Sequence, residues 1–316
     1  MIALLGMPRS GTTWVAKAID SHPKTYYLHE PDSIRRLNVP QIVNSDEAIH
    51  YQSELQTFLN NIESVNSLKV KGRLPYFPKQ YLNSFQLNFN RMSTFAAKSL
   101  GRVSAKFTDT APMLFKPKNH VTFWKSIESM GRVAALAKAK PDLKIVMLVR
   151  HPCAVINSEI KGEASNKFSS HTHIYENWGL FEKILGADIA KEHELTIDKI
   201  KAMEPVERLA WRWLIYYKQL EKSSELENCK MFHYEELCND PLNNFTEVFN
   251  FLGLPYDEQV KAYLHESTSS HSESYYSTSK DPKKAAHSWK QKLSADDIEK
   301  IHRIVGPYIE KEFWEL

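Results

Sequence analysis

Ile2-Ala3-Leu4-Leu5-Gly6-Met7-Pro8-Arg9-Ser10-Gly11-Thr12-Thr13-Trp14 begins as a short apolar run and leads directly into a segment, Val15 to Ile19, patterned as a helix. A strand that delivers the chain to a Gly-containing turn, with a helix starting at once, builds an anion cradle. Free backbone N–H groups and the positive end of the helix surround the charge. The spacing of Gly6, Gly11 and Thr13 matches the phosphate-loop pattern G-x-x-x-x-G-K-[ST], but Thr12 stands where the lysine belongs. A loop that keeps the glycines and hydroxyls and lacks this lysine is suited to hold a phosphate without handling a γ-phosphoryl group. Arg9 supplies a fixed positive charge instead.

A second segment has the same logic. Lys144 to Val149 is continuously apolar after its lysine, as expected of a strand buried on both faces, and it ends in Arg150-His151-Pro152-Cys153-Ala154-Val155-Ile156-Asn157-Ser158. Arg150 therefore falls at a strand's carboxyl end, where open α/β sheets bind ligands, and Ser158 lies about two turns into the next helix. An arginine and a hydroxyl so placed can share one phosphate. Further on, strand Lys230 to His233 precedes Tyr234, and Asp240 with Pro241 starts a helix. Phe245, Val248, Phe249 and Leu252 form that helix's apolar face, and Gly253 and Pro255 end it.

These three stretches resemble the sulfotransferases that use 3′-phosphoadenosine 5′-phosphosulfate (PAPS), in particular the bacterial, carbohydrate and tyrosylprotein branches. Pro8 to Trp14 is similar to their 5′-phosphosulfate loop. Leu-Val-Arg-His-Pro-x-Ala-Val-x-x-Ser is similar to their 3′-phosphate motif, with His151 where aspartate is usual, and Tyr234-Glu235-Glu236-Leu237 to a segment whose tyrosine lies near the nucleotide. The resemblance spans roughly residues 1 to 311 with a gap at 35 to 105. It implies an α/β fold with a central, mostly parallel sheet flanked by helices, related to the P-loop nucleotide hydrolases, in a single domain covering residues 1–316. It also implies transfer of a sulfuryl group from PAPS to a hydroxyl, with an amine as the less favoured target. Pro8, Arg9, Ser10, Gly11, Thr12 and Thr13 would hold the phosphosulfate, Arg150 and Ser158 the 3′-phosphate, and Trp14 either stacks on adenine or packs on the sheet. Tyr234 is either a nucleotide contact or a core residue.

Catalysis of this kind needs a base for the acceptor's proton and positive charge on the departing oxygens. Thr25 to Leu28 reads as a second strand, with Glu30 just past its end on the same rim as Arg9. By resemblance Glu30 is the base and His29 its rival. Arg9 is the first candidate for the leaving-group charge. Relatives often add a lysine that ends a strand before the Arg150 strand, and Met113-Leu114-Phe115-Lys116 offers Lys116, with Lys106 as the alternative. The stretch Ser267 to Ser279 is Ser or Thr at nine of thirteen positions, so a mobile loop over about 265–285 is expected, with Lys283 and Lys284 in reach of the nucleotide's phosphates. Residues 35–105, with the aromatic cluster Leu74 to Phe89, read as a helical cap over the strand ends that supplies the acceptor pocket. The expected acceptor is a hydroxyl-bearing sugar, lipid, small molecule or peptide.

Composition narrows the classes. Hydrophobic residues make up 42% and charged residues 25% of the 316, as in an ordinary globular enzyme. A net charge of +3 gives no reason to expect nucleic acid. No apolar run is long enough to span a bilayer, and the early phosphate loop leaves no room for a leader. Cys153, Cys229 and Cys238 are too scattered for a disulfide framework or a zinc site, which points to a reducing, cytoplasmic setting. His171-Thr172-His173 lacks a third ligand and reads as a polar loop, and no metal is required. Two other readings remain: a kinase or nucleotide hydrolase with a degenerate loop, and a non-catalytic module that binds 3′-phosphoadenosine nucleotides.

Overall fold

The computed structural model describes residues 1–103, 111–115, 117–164, 173–269 and 282–316, and its centre is one five-stranded sheet. The strands are β1 (Ile2–Gly6), β2 (Thr25–His29), β3 (Val121–Ser126), β4 (Lys144–Val149) and β5 (Cys229–His233). All neighbouring pairs are parallel, in the order β2-β3-β1-β4-β5. In β1 and β4 the apolar run is continuous because both faces of a parallel sheet are covered. Ala3, Leu5, Ile145, Met147 and Val149 point to one core, and Ile2, Leu4, Val146 and Leu148 to the other.

Helices fill both sides. The side of Leu4 and Leu148 receives α1 (Thr12–Ser21) and the later helix Pro241–Leu252, whose Phe245, Val248, Phe249 and Leu252 are buried as their spacing predicts. Asp240 caps that helix by accepting from the Asn243 amide at 3.3 Å, and Gly253 closes it at φ 66°. The opposite side receives α2 (Gln52–Asn60), then, after the short α3 (Leu68–Lys71) and the long α4 (Ser84–Val103), α5 (Val133–Ala139) and α6 (Pro152–Ala164), and the helix Pro205–Ser223. None of the helices in the described residues is long and apolar enough to cross a membrane.

The chain runs β1 to β2, returns through β3 beside β1, and only then crosses to β4. Strands β1 and β4 are thus the adjacent pair where the order reverses, and their carboxyl ends open the crevice in which such sheets take ligands.

The structure bears on three expectations. The lysine-bearing strand before β4 is Val121–Ser126, so its lysine is Lys125, and Met113 to Phe115 adopt no regular structure. Lys106 and Lys116 lie outside the described residues. The aromatic cluster from Leu74 to Leu82 is not helical: Tyr76 and Tyr81 donate hydroxyl bonds to the Lys71 and Thr25 carbonyls, tying an irregular segment down. Phe85 on α4 is 71% exposed. Helices Glu258–Ser269 and Pro282–His287 occupy the two ends of the expected 265–285 loop, whose middle falls outside the described residues, as do His171 and Thr172.

Candidate active site

The phosphate loop takes its shape from a turn in which the Ser10 amide donates to the Met7 carbonyl at 3.1 Å, with Arg9 at φ 69° and Gly11 at φ 81°. Gly11 is required twice over. Its φ favours glycine, and a Cβ there would lie 2.1 Å from Cε2 of Tyr234, whose ring closes the loop from below. The Trp14 amide is the first to bond back, to the Gly11 carbonyl at 3.0 Å, so the amides of Gly11, Thr12 and Thr13 belong to the open first turn of α1. The Ser10 hydroxyl is buried beside them, without a hydrogen-bond partner among the described residues. A buried orphan hydroxyl beside free amides fits an oxyanion.

A second cradle adjoins the first. From the end of β4, Arg150 donates through Nη1 to the Arg9 carbonyl at 2.8 Å and through Nη2 to the Ala285 carbonyl at 2.6 Å, and lies 4.8 Å over the Tyr234 ring. Its Nε is buried, 3.9 Å from Oε1 of Glu235, with no hydrogen bond among the described residues. Arg9 Nε donates to Ser158 Oγ at 2.9 Å, across from α6. Arg9, Arg150 and Ser158 therefore converge, and exposed Lys283 and Lys284 stand on the short helix whose Ala285 carbonyl Arg150 holds. Pro8 sits in the same turn. Glu235, which was not singled out in the sequence, is buried, and burial pushes its carboxyl up to about 7 against the pull of Arg150.

His151 explains its own departure from the usual aspartate. Its Nδ1 accepts the Cys153 amide at 3.2 Å, doing for the start of α6 what an aspartate cap would do, while Nε2 faces the Trp314 carbonyl at 3.0 Å. Those partners assign the neutral tautomer protonated on Nε2. The ring stacks on Trp289 at 4.4 Å, and burial lowers its pKa to about 4. Trp14 is likewise a core residue. It is 6% exposed, packs edge-on against Tyr234 and Phe245, and donates Nε1 to Ser267 at 3.0 Å.

The third part lies two strands away. Glu30 follows β2 at φ 49°, with its amide bonded to the Lys125 carbonyl at 2.7 Å. Its carboxylate meets Lys125 Nζ at 2.5 Å, Lys69 Nζ at 3.1 Å and His29 Nε2 at 3.5 Å. Burial alone would raise Glu30, but Lys125, with help from Lys69, holds it down to about 2. Burial beside Lys125 also takes His29 down to about 2, so it is a neutral ring, hydrogen-bonded to the Tyr27 hydroxyl at 2.7 Å. Lys125, from the strand adjoining β1, is the residue that sequence reading missed. Its signal was present in Val121-Thr122-Phe123-Trp124-Lys125-Ser126, a strand-like run that the Lys116 alternative displaced.

The arrangement pairs two anion cradles on adjacent strands with a carboxylate and a lysine on the same rim. Among the described residues there is no group of three or more metal-ligating side chains. The model of the sulfotransferase family matches residues 2–258. Carbohydrate sulfotransferase 1 of Danio rerio is 22% identical over 333 aligned positions, which cover 94% of this chain and 74% of that protein. Among solved structures, the sulfotransferase domain from the curacin biosynthetic pathway overlays with a TM-score of 0.46 at 14% identity, covering 97% of this chain and 96% of that one. A mouse sulfotransferase complexed with PAP overlays with a TM-score of 0.43 at 14% identity, covering 96% and 82%.

Proposed function

The chain belongs to the sulfotransferase family, and we propose that it transfers the sulfuryl group of PAPS to a hydroxyl of an acceptor, releasing 3′,5′-bisphosphoadenosine. The observation that carries the donor is the convergence of Arg9, Arg150 and Ser158 between two strand ends, one cradle for each phosphate of the nucleotide. The open amides of α1, the Ser10 hydroxyl and Arg9 would take the 5′-phosphosulfate. Arg150, Ser158 and the lysines at 283 and 284 would take the 3′-phosphate. Ser10 Oγ and Arg150 Nε are buried donors with no hydrogen bond among the described residues, which such a ligand would supply.

In the transfer, the acceptor oxygen forms a bond to sulfur as the bond from sulfur to the 5′-phosphate oxygen breaks. The acceptor's proton goes to Glu30, and the charge left on the phosphate is met by Arg9, the loop amides and Lys125. Lys125 has two customers. Before reaction it neutralises Glu30, which is why that carboxyl is a weak base in this structure. When Lys125 turns toward the developing negative charge, burial is left to dominate at Glu30, and its basicity rises when a base is needed. His29, neutral and adjoining, is the alternative base.

The test is thermal stabilisation by 3′,5′-bisphosphoadenosine against 5′-AMP, ADP and ATP with magnesium. At about 100 times its dissociation constant the bisphosphate should add about 2.7 kcal/mol, and Arg150→Ala should remove the effect. Preference for ATP with magnesium would overturn the donor assignment in favour of phosphoryl chemistry.

A further inference from the structure

We propose that the outer face of α4 docks on an anionic phospholipid surface, a role that stands independently of the sulfotransferase reading. Along Ser84–Val103 the helix is turned against its composition. Its buried side is built from Leu87, Asn90, Thr94 and Ala97, of which only the first is a large apolar residue. On the opposite side Phe85, Met92 and Phe95 are each at least 67% exposed, and Phe89 and Leu100 accompany them. Hydrogen bonds that only the polar residues can make fix this orientation. Thr94 Oγ1 pairs with the Tyr76 hydroxyl at 2.8 Å, Asn90 Oδ1 accepts the Phe115 amide at 3.0 Å, and Ser93 Oγ accepts the Met113 amide at 2.8 Å. The last two bonds lay residues 113 and 115 along the helix. The Phe115 ring then meets Phe89 at 5.3 Å and Phe85 at 6.5 Å, and exposed Met113 extends the apolar strip. Seven of the eleven large apolar side chains exposed among the described residues stand in these two segments. Scattered singly they would be ordinary, but gathered in one strip they mark a contact surface.

Charge decides what covers the strip. Residues 64–108 hold eight of the chain's 41 lysines and arginines and none of its 38 aspartates and glutamates, so the rest of the chain is net acidic. On α4 itself the charged residues are Arg91, Lys98 and Arg102, whose spacing of seven and then four puts them along one flank of the apolar strip. Arg91 donates one bond to the Tyr76 carbonyl at 2.8 Å and stays exposed, and exposed Lys118 follows three residues after Phe115. Phenylalanine and methionine on one face of a 20-residue helix, with cations alone beside them, suit a helix lying in the headgroup layer. The rings enter the acyl boundary while the basic side chains reach the lipid phosphates. A second copy of this chain would bring the same cations to the same strip, setting like charge against like. A protein groove shaped for one helix would not admit the 113–115 segment beside it, whereas a planar layer accepts both.

The experiment is flotation of the full chain with vesicles of phosphatidylcholine alone or with about 30% phosphatidylserine, at low and high salt. The wild type should partition onto the anionic vesicles about tenfold more strongly than onto the neutral ones, and the excess should shrink as salt rises. Replacing both Met92→Ser and Phe95→Ser should weaken partitioning onto the anionic vesicles by about tenfold or more, whereas Phe95→Leu should keep most of it. Because both side chains are exposed, the unfolding midpoint of the double variant should match that of the wild type. Equal partitioning onto the two kinds of vesicle, no partitioning onto either, or an undiminished double variant would each overturn the docking surface. A wild type that is dimeric without lipid in sedimentation equilibrium, with a monomeric double variant, would overturn it as well and give the face to a second copy.

Discussion

At the residue scale, Glu30 and Lys125 form a buried pair whose members each hold the other in its charged state. Glu30→Gln keeps the shape of the carboxyl but takes no proton, so turnover should fall by about 10²–10⁴, the usual contribution of a general base. Bisphosphate binding should be unchanged. Lys125→Met should also lower turnover, and it should shift the acid limb of the rate profile upward, because burial then acts on Glu30 without its main counter-charge. A rate profile unaltered by Lys125→Met would separate the two residues and return the role of base to His29. The residues legible beforehand were those whose function is local in the chain. Gly11, Arg150 and Ser158 stand at fixed offsets from a strand or a helix start. Lys125 and Lys69 meet Glu30 only through the pairing of β2 with β3 and the return of α3, contacts between residues 95 and 39 positions apart, as their numbers show.

At the element scale, the same distinction separates what was readable from what was not. Strands β1, β4 and β5 and the helix Pro241–Leu252 carry apolar patterns of one period with turn residues at their ends. The segment after α3 carries aromatics at mixed spacing, and its structure comes from Lys17 of α1 donating to the Pro75 carbonyl and from Lys79 and Tyr81 donating to the His22 and Thr25 carbonyls, rather than from burying one face. Asp20 is the hub of that attachment. Burial would raise its carboxyl, but Lys17 and Lys79 hold it below the usual carboxylate range. Removing one partner of a buried network strands the others, at about 3–5 kcal/mol. Asp20→Ala should therefore destabilise the chain by about that amount in urea unfolding at pH 7. A small loss, under about 1 kcal/mol, would mean that Lys17 and Lys79 are satisfied by the carbonyls alone.

On the scale of the whole molecule, the carboxyl-terminal residues are closed onto the donor strands through His151, which joins the start of α6 to Trp289, Phe313 and Trp314. His233 at the end of β5 packs edge-on against Phe313 at 4.1 Å, and burial lowers its pKa to about 4 as well. Both rings are neutral in the fold and titrate near 6.5 once unfolded, so between those values the unfolded chain binds more protons. Their stabilising contribution is complete above about pH 6.5 and is lost as pH falls toward 4. Glu235 has the opposite sign. Its raised pKa means that the folded chain takes up its proton first, offsetting one of the two histidines as pH falls from 7. Protonated His151 would also turn Nδ1 into a donor facing the Cys153 amide, so the penalty falls on the junction that holds Arg150 in place. His151→Asn keeps an acceptor for that amide and has no proton to gain. Its unfolding free energy should be lower than wild type at pH 7.5, and its slope between pH 6.5 and 4.5 should be shallower by up to one proton, about 1.4 kcal/mol per pH unit. Parallel curves for the two proteins would show that the His151 ring titrates alike in the folded and unfolded chain, and the neutral tautomer assigned from its partners would have to be given up.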